Sequence, residues 1–275
     1  MKKLLFSLSV VMIFLLANVV PTEASDTSVI ENGVLKNNRV LIPIRAVSQN
    51  LGIDVKWNQF QKTAQLTKGE TEIILAVQFK RALVNQDRVD FDAPVELIQN
   101  TTYVPLRFVS QTMGADVKWD QKAKEAMVIL DGKQVVVKLK EPKYSVPTNQ
   151  RLSETRVASL SEKLNEASDL SKVKQVNTYF RPYFTDRLIQ QIIQQEGLNF
   201  KEMNFDMNTA TVNYTSNTSA TLIQSFVPGN ILTGELHYVL DREAHVIYAN
   251  GVWKVDKVRD HLRQIPNMSL EPDLQ

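Results

Sequence analysis

Two stretches of the chain change hydrophobic period in the same way. Ile44, Val47 and Leu51 form one helical stripe; past Gly52 the period becomes two, with Ile53, Val55 and Trp57 alternating with Asp54, Lys56 and Asn58. Leu106, Val109 and Met113 repeat the stripe, and past Gly114 the residues Ala115, Val117 and Trp119 alternate with Asp116, Lys118 and Asp120. Each pattern predicts a short helix with a proline, Pro43 or Pro105, in its first turn, where a missing N–H is harmless. A glycine stop and a strand follow. Further strands are expected at 63–67, 71–77, 125–130 and 134–140, with a hairpin from 81–84 to 88–91 turning at Asn85-Gln86.

Sliding the chain along itself by 62 residues makes ten of the eighteen positions from Leu41 to Asn58 identical to those from Tyr103 to Asp120. Gln59, Lys62 and Ala64 recur as Gln121, Lys124 and Ala126, and after a one-residue slip Gly69 meets Gly132. Such agreement at a fixed offset marks an internal duplication, each copy being one short helix on a twisted antiparallel sheet.

The strings VLIPIRAVSQNLGIDVKW and TYVPLRFVSQTMGADVKWD, with VNQDRVDFDAPVELIQN ahead of the second, resemble the copper amine oxidase N-terminal-like, or stalk, domain of exported Gram-positive proteins over residues 28–140. The resemblance implies a surface or secreted module that presents other domains or binds at the envelope. It does not imply amine oxidation, since the metal and quinone of those oxidases belong to a much larger catalytic domain. Copper would need three converging histidines, two of them in a His-x-His pair; His237, His245 and His261 lack that spacing, and Asn213-Tyr214 precedes Thr215 rather than the acid a quinone precursor requires. No metal, cofactor or catalytic residue is expected.

A linker is expected at 142–150, where two prolines interrupt any periodicity. Beyond it, Ser153 and Ser171 are placed to cap helices running to Ala167 and Tyr183. Thr185 caps a third from Asp186 to Glu196, with Leu188, Ile192 and Ile193 inward. Strands are expected at 205–214, 220–226, 234–240, 245–249 and 252–258, the last two joined by Asn250-Gly251. The fold class is therefore α+β: a duplicated β-rich stalk unit followed by a domain of helices and then antiparallel sheet. The boundaries are 1–24 for a signal peptide, 25–141 for the duplicated domain, 142–150 for the linker and 151–275 for the C-terminal domain. Element order and the closing Asn250-Gly251-Val252-Trp253-Lys254-Val255 are similar to the cone-shaped fold of nuclear transport factor two and ketosteroid isomerase. That likeness implies a curved sheet around a helix, with room for a pocket.

Composition narrows the function classes. Thirty-two Lys+Arg against 30 Asp+Glu in 275 residues leave a charge of +2, without the basic excess of a nucleic-acid platform. The absence of cysteine removes disulfides and thiol chemistry. Lys2 and Lys3, the apolar run Leu4 to Val20 and the small-residue site at Ala24 read as a cleaved Sec-type signal, leaving a secreted or cell-wall-associated chain with no membrane span.

Seven residues are candidates for binding. Trp57 and Trp119 are indoles of the kind that stack on glycans, yet their phase places both with the core positions, so packing is expected. Arg45 and Arg107 occupy first helical turns, which disfavour cations, so pairing with Asp54 and Asp116 is expected, contact with an anionic wall polymer being the alternative. In the C-terminal part, His237, Asp241 and His245, with Asp206, are the ionisable candidates. His237 falls on the wetter strand face, and the set reads as surface and turn residues. The expected function is that of an exported non-enzymatic binding or presentation protein whose partner is a cell-wall polymer or another exported protein. A secreted regulator of a wall hydrolase and a small-pocket enzyme in residues 151–275 are the alternatives.

Overall fold

A computed structural model describes residues 27–36, 39–140, 144, 146–199, 203–206, 210–228, 232–233 and 236–268. The expected signal segment at 1–24, most of 141–145, and positions 207–209 and 234–235 of the expected strands lie outside the described residues. The fold is α+β.

The two sequence copies fold alike. After β1 (Thr27–Lys36), the first contains β2 (Arg39–Pro43), α1 (Ile44–Leu51), β3 (Asp54–Asn58), β4 (Thr63–Lys68) and β5 (Thr71–Ala76). The hairpin β6 (Arg81–Val84) and β7 (Asp87–Asp90) and the short β8 (Glu96–Ile98) lead to the second, which contains β9 (Thr101–Pro105), α2 (Leu106–Met113), β10 (Asp116–Asp120), β11 (Glu125–Leu130) and β12 (Lys133–Leu139). Each proline ends its strand as the helix N-cap, one position earlier than the sequence suggested. Gly52 (φ 73°) and Gly114 (φ 71°) close the helices in the left-handed region, and the next N–H groups, of Ile53 and Ala115, donate to Ser48 O and Ser110 O at 2.8 and 2.7 Å.

The copies meet symmetrically. β2 lies antiparallel to β9 with Leu41 opposite Pro105, Ile42 opposite Val104 and Pro43 opposite Tyr103. Ile42 thus faces its own counterpart 62 residues on, which places a local two-fold axis through that pair, as in an isologous dimer. The seven-stranded sheet runs β10-β11-β12-β1-β2-β9-β8, while β3 to β7 form a separate five-stranded sheet. Both helices pack into one apolar core shared by the two copies, with Ile42, Val47, Leu66, Val104, Val109 and Val128 among its members. β3 and β10 are the terminal strands of their sheets.

In the C-terminal part, α3 (Glu154–Glu166) starts at Ser153, whose hydroxyl accepts from Arg156 N, and α5 (Asp186–Gln194) at Thr185, which accepts from Leu188 N. No long helix starts at Ser171. A 3-10 turn at Leu170–Lys172, capped by Asp169, and the five-residue α4 (Val176–Phe180) stand there, separated by Gln175 at φ 53°. Leu170, Val173 and Val176 pack against the core from this irregular path, and that packing overrides the helical spacing. The buried stripe of α5 is Leu188, Ile189 and Ile192; Ile193 is 37% exposed, so the helix is rolled by one position from the expected face.

The second five-stranded sheet contains β13 (Thr211–Ser216), β14 (Ser219–Phe226), β15 (Leu232–Thr233), β16 (Leu236–Ala249) and β17 (Val252–Pro266). β16 and β17 turn at Asn250-Gly251 as expected, but residues 241–244 form no turn: β16 runs through for 14 residues and β17 for 15. The hairpin is long because both its faces are used. Ala244, Val246, Trp253 and Val255 pack against the helices. Val239 and Ile265, with Met268, meet Ala76, Ile74, Phe79 and Leu83 of the first half.

Candidate functional site

The middle of β16 is buried on both sides. Asp241, 1% exposed, faces the duplicated part. Arg263 Nε donates to its Oδ2 at 2.8 Å and Nη2 to its Oδ1 at 3.1 Å, while the same guanidinium donates to Gln61 O (2.9 Å) and Val77 O (2.8 Å). Lys62 Nζ donates to Asp241 Oδ2 at 3.1 Å and to Glu243 Oε1 at 3.3 Å, and Ser225 Oγ donates to Asp241 Oδ1 at 2.6 Å. Burial pushes the Asp241 carboxyl upward, but Arg263, Lys62 and Ser225 outweigh it and hold the group below the ordinary carboxylate range. Asp241 thus accepts four hydrogen bonds, two on each oxygen, and the cluster clamps the two halves of the chain together.

Two sequence expectations are corrected here. Asp241 is a buried strand residue rather than a turn former, and His237, placed on a wet face, is 4% exposed. The alternation identified two faces, but the polar one is covered by the duplicated part. Arg242 points the other way: its guanidinium carbon lies 3.9 Å from the centre of the Phe205 ring, and Nη1 donates to Asn165 Oδ1 at 2.8 Å. Burial lowers its pKa to about 10, and burial raises that of Asp260, 4.0 Å away, against the pull of the guanidinium. His245 Nδ1 is 3.9 Å from Asp256 Oδ2, a carboxylate already bonded by Arg187 and Thr185, and Asp206 is exposed. Among the described residues no group of three or more His, Asp or Glu side chains is arranged to hold a metal ion.

Of the two indoles, Trp57 packs against the core in part, as expected, and Trp119 departs from the packing expectation. Trp119 is 40% exposed, on a strand whose five residues are all exposed, and Trp57 is half-buried at the rim of the core. Each lies opposite a buried alanine, Trp57 beside Ala64 and Trp119 beside Ala126. The core thins out at β3 and ends before it reaches β10. Both indole N–H groups donate to the glutamine two residues on, Trp57 to Gln59 Oε1 at 2.8 Å and Trp119 to Gln121 Oε1 at 2.7 Å. Trp119 and Arg107 line a cleft of about 1500 Å³ between the duplicated part and the C-terminal part, to which Arg151, Val157, Asn213 and Tyr214 also contribute. Trp57 lines a second groove of about 590 Å³ with Phe60, Gln61 and Gln65, which Pro266 of β17 borders. Arg45 and Arg107 are exposed, and neither pairs with Asp54 or Asp116. On an exposed first turn, water solvates the cation and no carboxylate is needed.

Residues 25–129 match the family of the copper amine oxidase N-terminal domain. The chain therefore carries a stalk-type module, and Arg45, Trp57, Arg107 and Trp119 all lie inside it. A Brevibacillus choshinensis protein named Protease inhibitor is 36% identical over 85 residues, which are 28% of this chain and 24% of that protein. The chain thus spans about a quarter of that relative's length. Among the described residues no helix is long and apolar enough to cross a membrane.

The stalk-type module also supplies Lys62 to the clamp, a residue that sequence reasoning passed over. Its only sequence signal is recurrence as Lys124, and both lysines take a left-handed turn conformation, φ 53° and 52°. Arg263 was missed because β17 was ended at Val258, although charged residues continue to alternate beyond that point.

Proposed function

We propose that the chain is an exported, non-catalytic binding protein of the bacterial cell envelope, in which the stalk-type module and the C-terminal sheet are clamped into one binding body. The observation that carries this reading is the exposed indole of Trp119 in a wide cleft walled by both halves. Large exposed aromatic surface beside an open cleft marks an interaction site. The reading is supported further by the chemistry at Asp241, whose oxygens are both engaged by fixed donors, so the most deeply buried acid among the described residues is occupied in holding the fold. Residues 1–24 would export the chain. Sedimentation of the mature protein with isolated cell envelope tests the proposal. A chain that stays wholly in the supernatant overturns it.

A second reading, secreted inhibition of an envelope or extracellular hydrolase, is favoured by the name of the Brevibacillus relative. Its test is the residual activity of secreted proteases in excess mature protein. Unchanged activity across serine, cysteine and metalloproteases overturns that reading.

A further inference from the structure

We infer that Trp57-Gln59 and Trp119-Gln121 are twin stacking sites for the sugar rings of a glycan strand, an assignment that rests on the envelope-binding reading and names its ligand. Indole N–H is a donor only, so the oxygen of each glutamine must face its tryptophan. The amide nitrogens of Gln59 and Gln121 are thereby turned away from the ring, and neither makes another hydrogen bond among the described residues. Each site thus offers an apolar ring face held in place by a polar pin, with free amide donors beside it. A pyranose ring presents the complement, a C–H face flanked by hydroxyl acceptors.

The surroundings suit a sugar better than a polypeptide. Asn58, Gln61 and Gln65 give the Trp57 groove amide walls, with Lys56 its one charged member, and Gln111 and Gln121 share with Trp119 a larger cleft that also holds charged side chains, Arg107 and Asp116 among them. A peptide adding to β3 or β10 as an extra strand would meet Asp54 and Lys56 or Asp116 and Lys118, charges that protect terminal strands from such pairing. Because the copies are related by the axis through Ile42 and Val104, the chain offers the same element twice. A repeating polymer can engage both elements, the second contact being intramolecular.

The test uses full mature protein and purified peptidoglycan sacculi stripped of protein and anionic polymers, with whole envelope in parallel. W57A, W119A and the double variant are compared, folding being verified by circular dichroism and by emission of the buried Trp253. The expected result is retention of the wild type on stripped sacculi, roughly tenfold weaker retention of each single variant and loss in the double variant. Equal retention of the folded double variant overturns the assignment. So does wild-type binding confined to unstripped walls and abolished by high salt, which would identify an anionic polymer as the ligand, or displacement of the protein from sacculi by an extended peptide. In those cases whole-envelope binding still stands. If the wild type fails to sediment even with whole envelope, the reading beneath the assignment fails instead.

Discussion

Arg263 and Asp241 lie diagonally across the β16–β17 pairing, joined at 2.8 and 3.1 Å by two parallel hydrogen bonds and both almost wholly buried. Such a pair is far costlier to break than to replace. Asp241→Ala or Arg263→Ala strands a buried charge and is expected to lower stability by about 3–5 kcal/mol in urea unfolding. The double change Asp241→Leu with Arg263→Met is expected to cost less than either single change. Additive losses would show that the two side chains act independently.

The same pair predicts the acid limb of stability. Asp241 has a folded-state pKa below that of the unfolded chain, so its contribution is fully present above about pH 4 and is lost as pH falls through the depressed folded value. Asp241→Asn should therefore flatten the stability profile below about pH 4 and lower it at neutrality. An acid limb unchanged by the substitution would assign it to other carboxylates.

The three tryptophans should separate by quenching. Trp119 and Trp57 face open grooves, whereas Trp253 is 4% exposed and donates its indole N–H to Gln150 O at 2.6 Å. Acrylamide is expected to quench most of the emission of the wild type but little of that of the W57A/W119A variant. Equal quenching of both proteins would place the indoles in the core, as their phase alone suggests.

Two glycines should respond unequally to a methyl group. At Gly114 a Cβ would have open space, and only the φ of 71° is unfavourable, so Gly114→Ala is expected to cost about 1 kcal/mol. At Gly197, φ 128°, a Cβ would come within 2.9 Å of Ser168 O, a backbone atom that cannot swing aside. Gly197→Ala is expected to cost at least about 2 kcal/mol in the same denaturation assay. Equal losses would show that the loop after α5 yields.

Removing Ile42 tests the axis between the copies. Its side chain is fully buried against its counterpart across β2 and β9, so Ile42→Ala should cost about 3 kcal/mol by thermal or urea unfolding. A loss under about 1 kcal/mol would mean that the interface repacks around the cavity.

The local features were legible along the chain. Hydrophobic period, proline, glycine and cap residues placed both short helices, the β3–β5 and β10–β12 strands, the Asn85-Gln86 and Asn250-Gly251 turns, and the starts of α3 and α5, because each depends on residues within one or two turns of one another. Self-comparison revealed the twin copies, because identity at a fixed offset needs no coordinates. Burial was different. Alternation assigned Trp119 to the core side and His237 to the other. Which face meets water depends on where the core runs out and on what packs against the sheet from elsewhere. Trp119 is exposed because β10 is the last strand of its sheet. Asp241 and Arg263 are buried because a surface some 180 residues earlier in the chain, with Lys62 and Val77, closes over them. The clamp, the cleft and the local two-fold axis arise only when distant segments meet, since their energies come from contacts that no single stretch of residues contains.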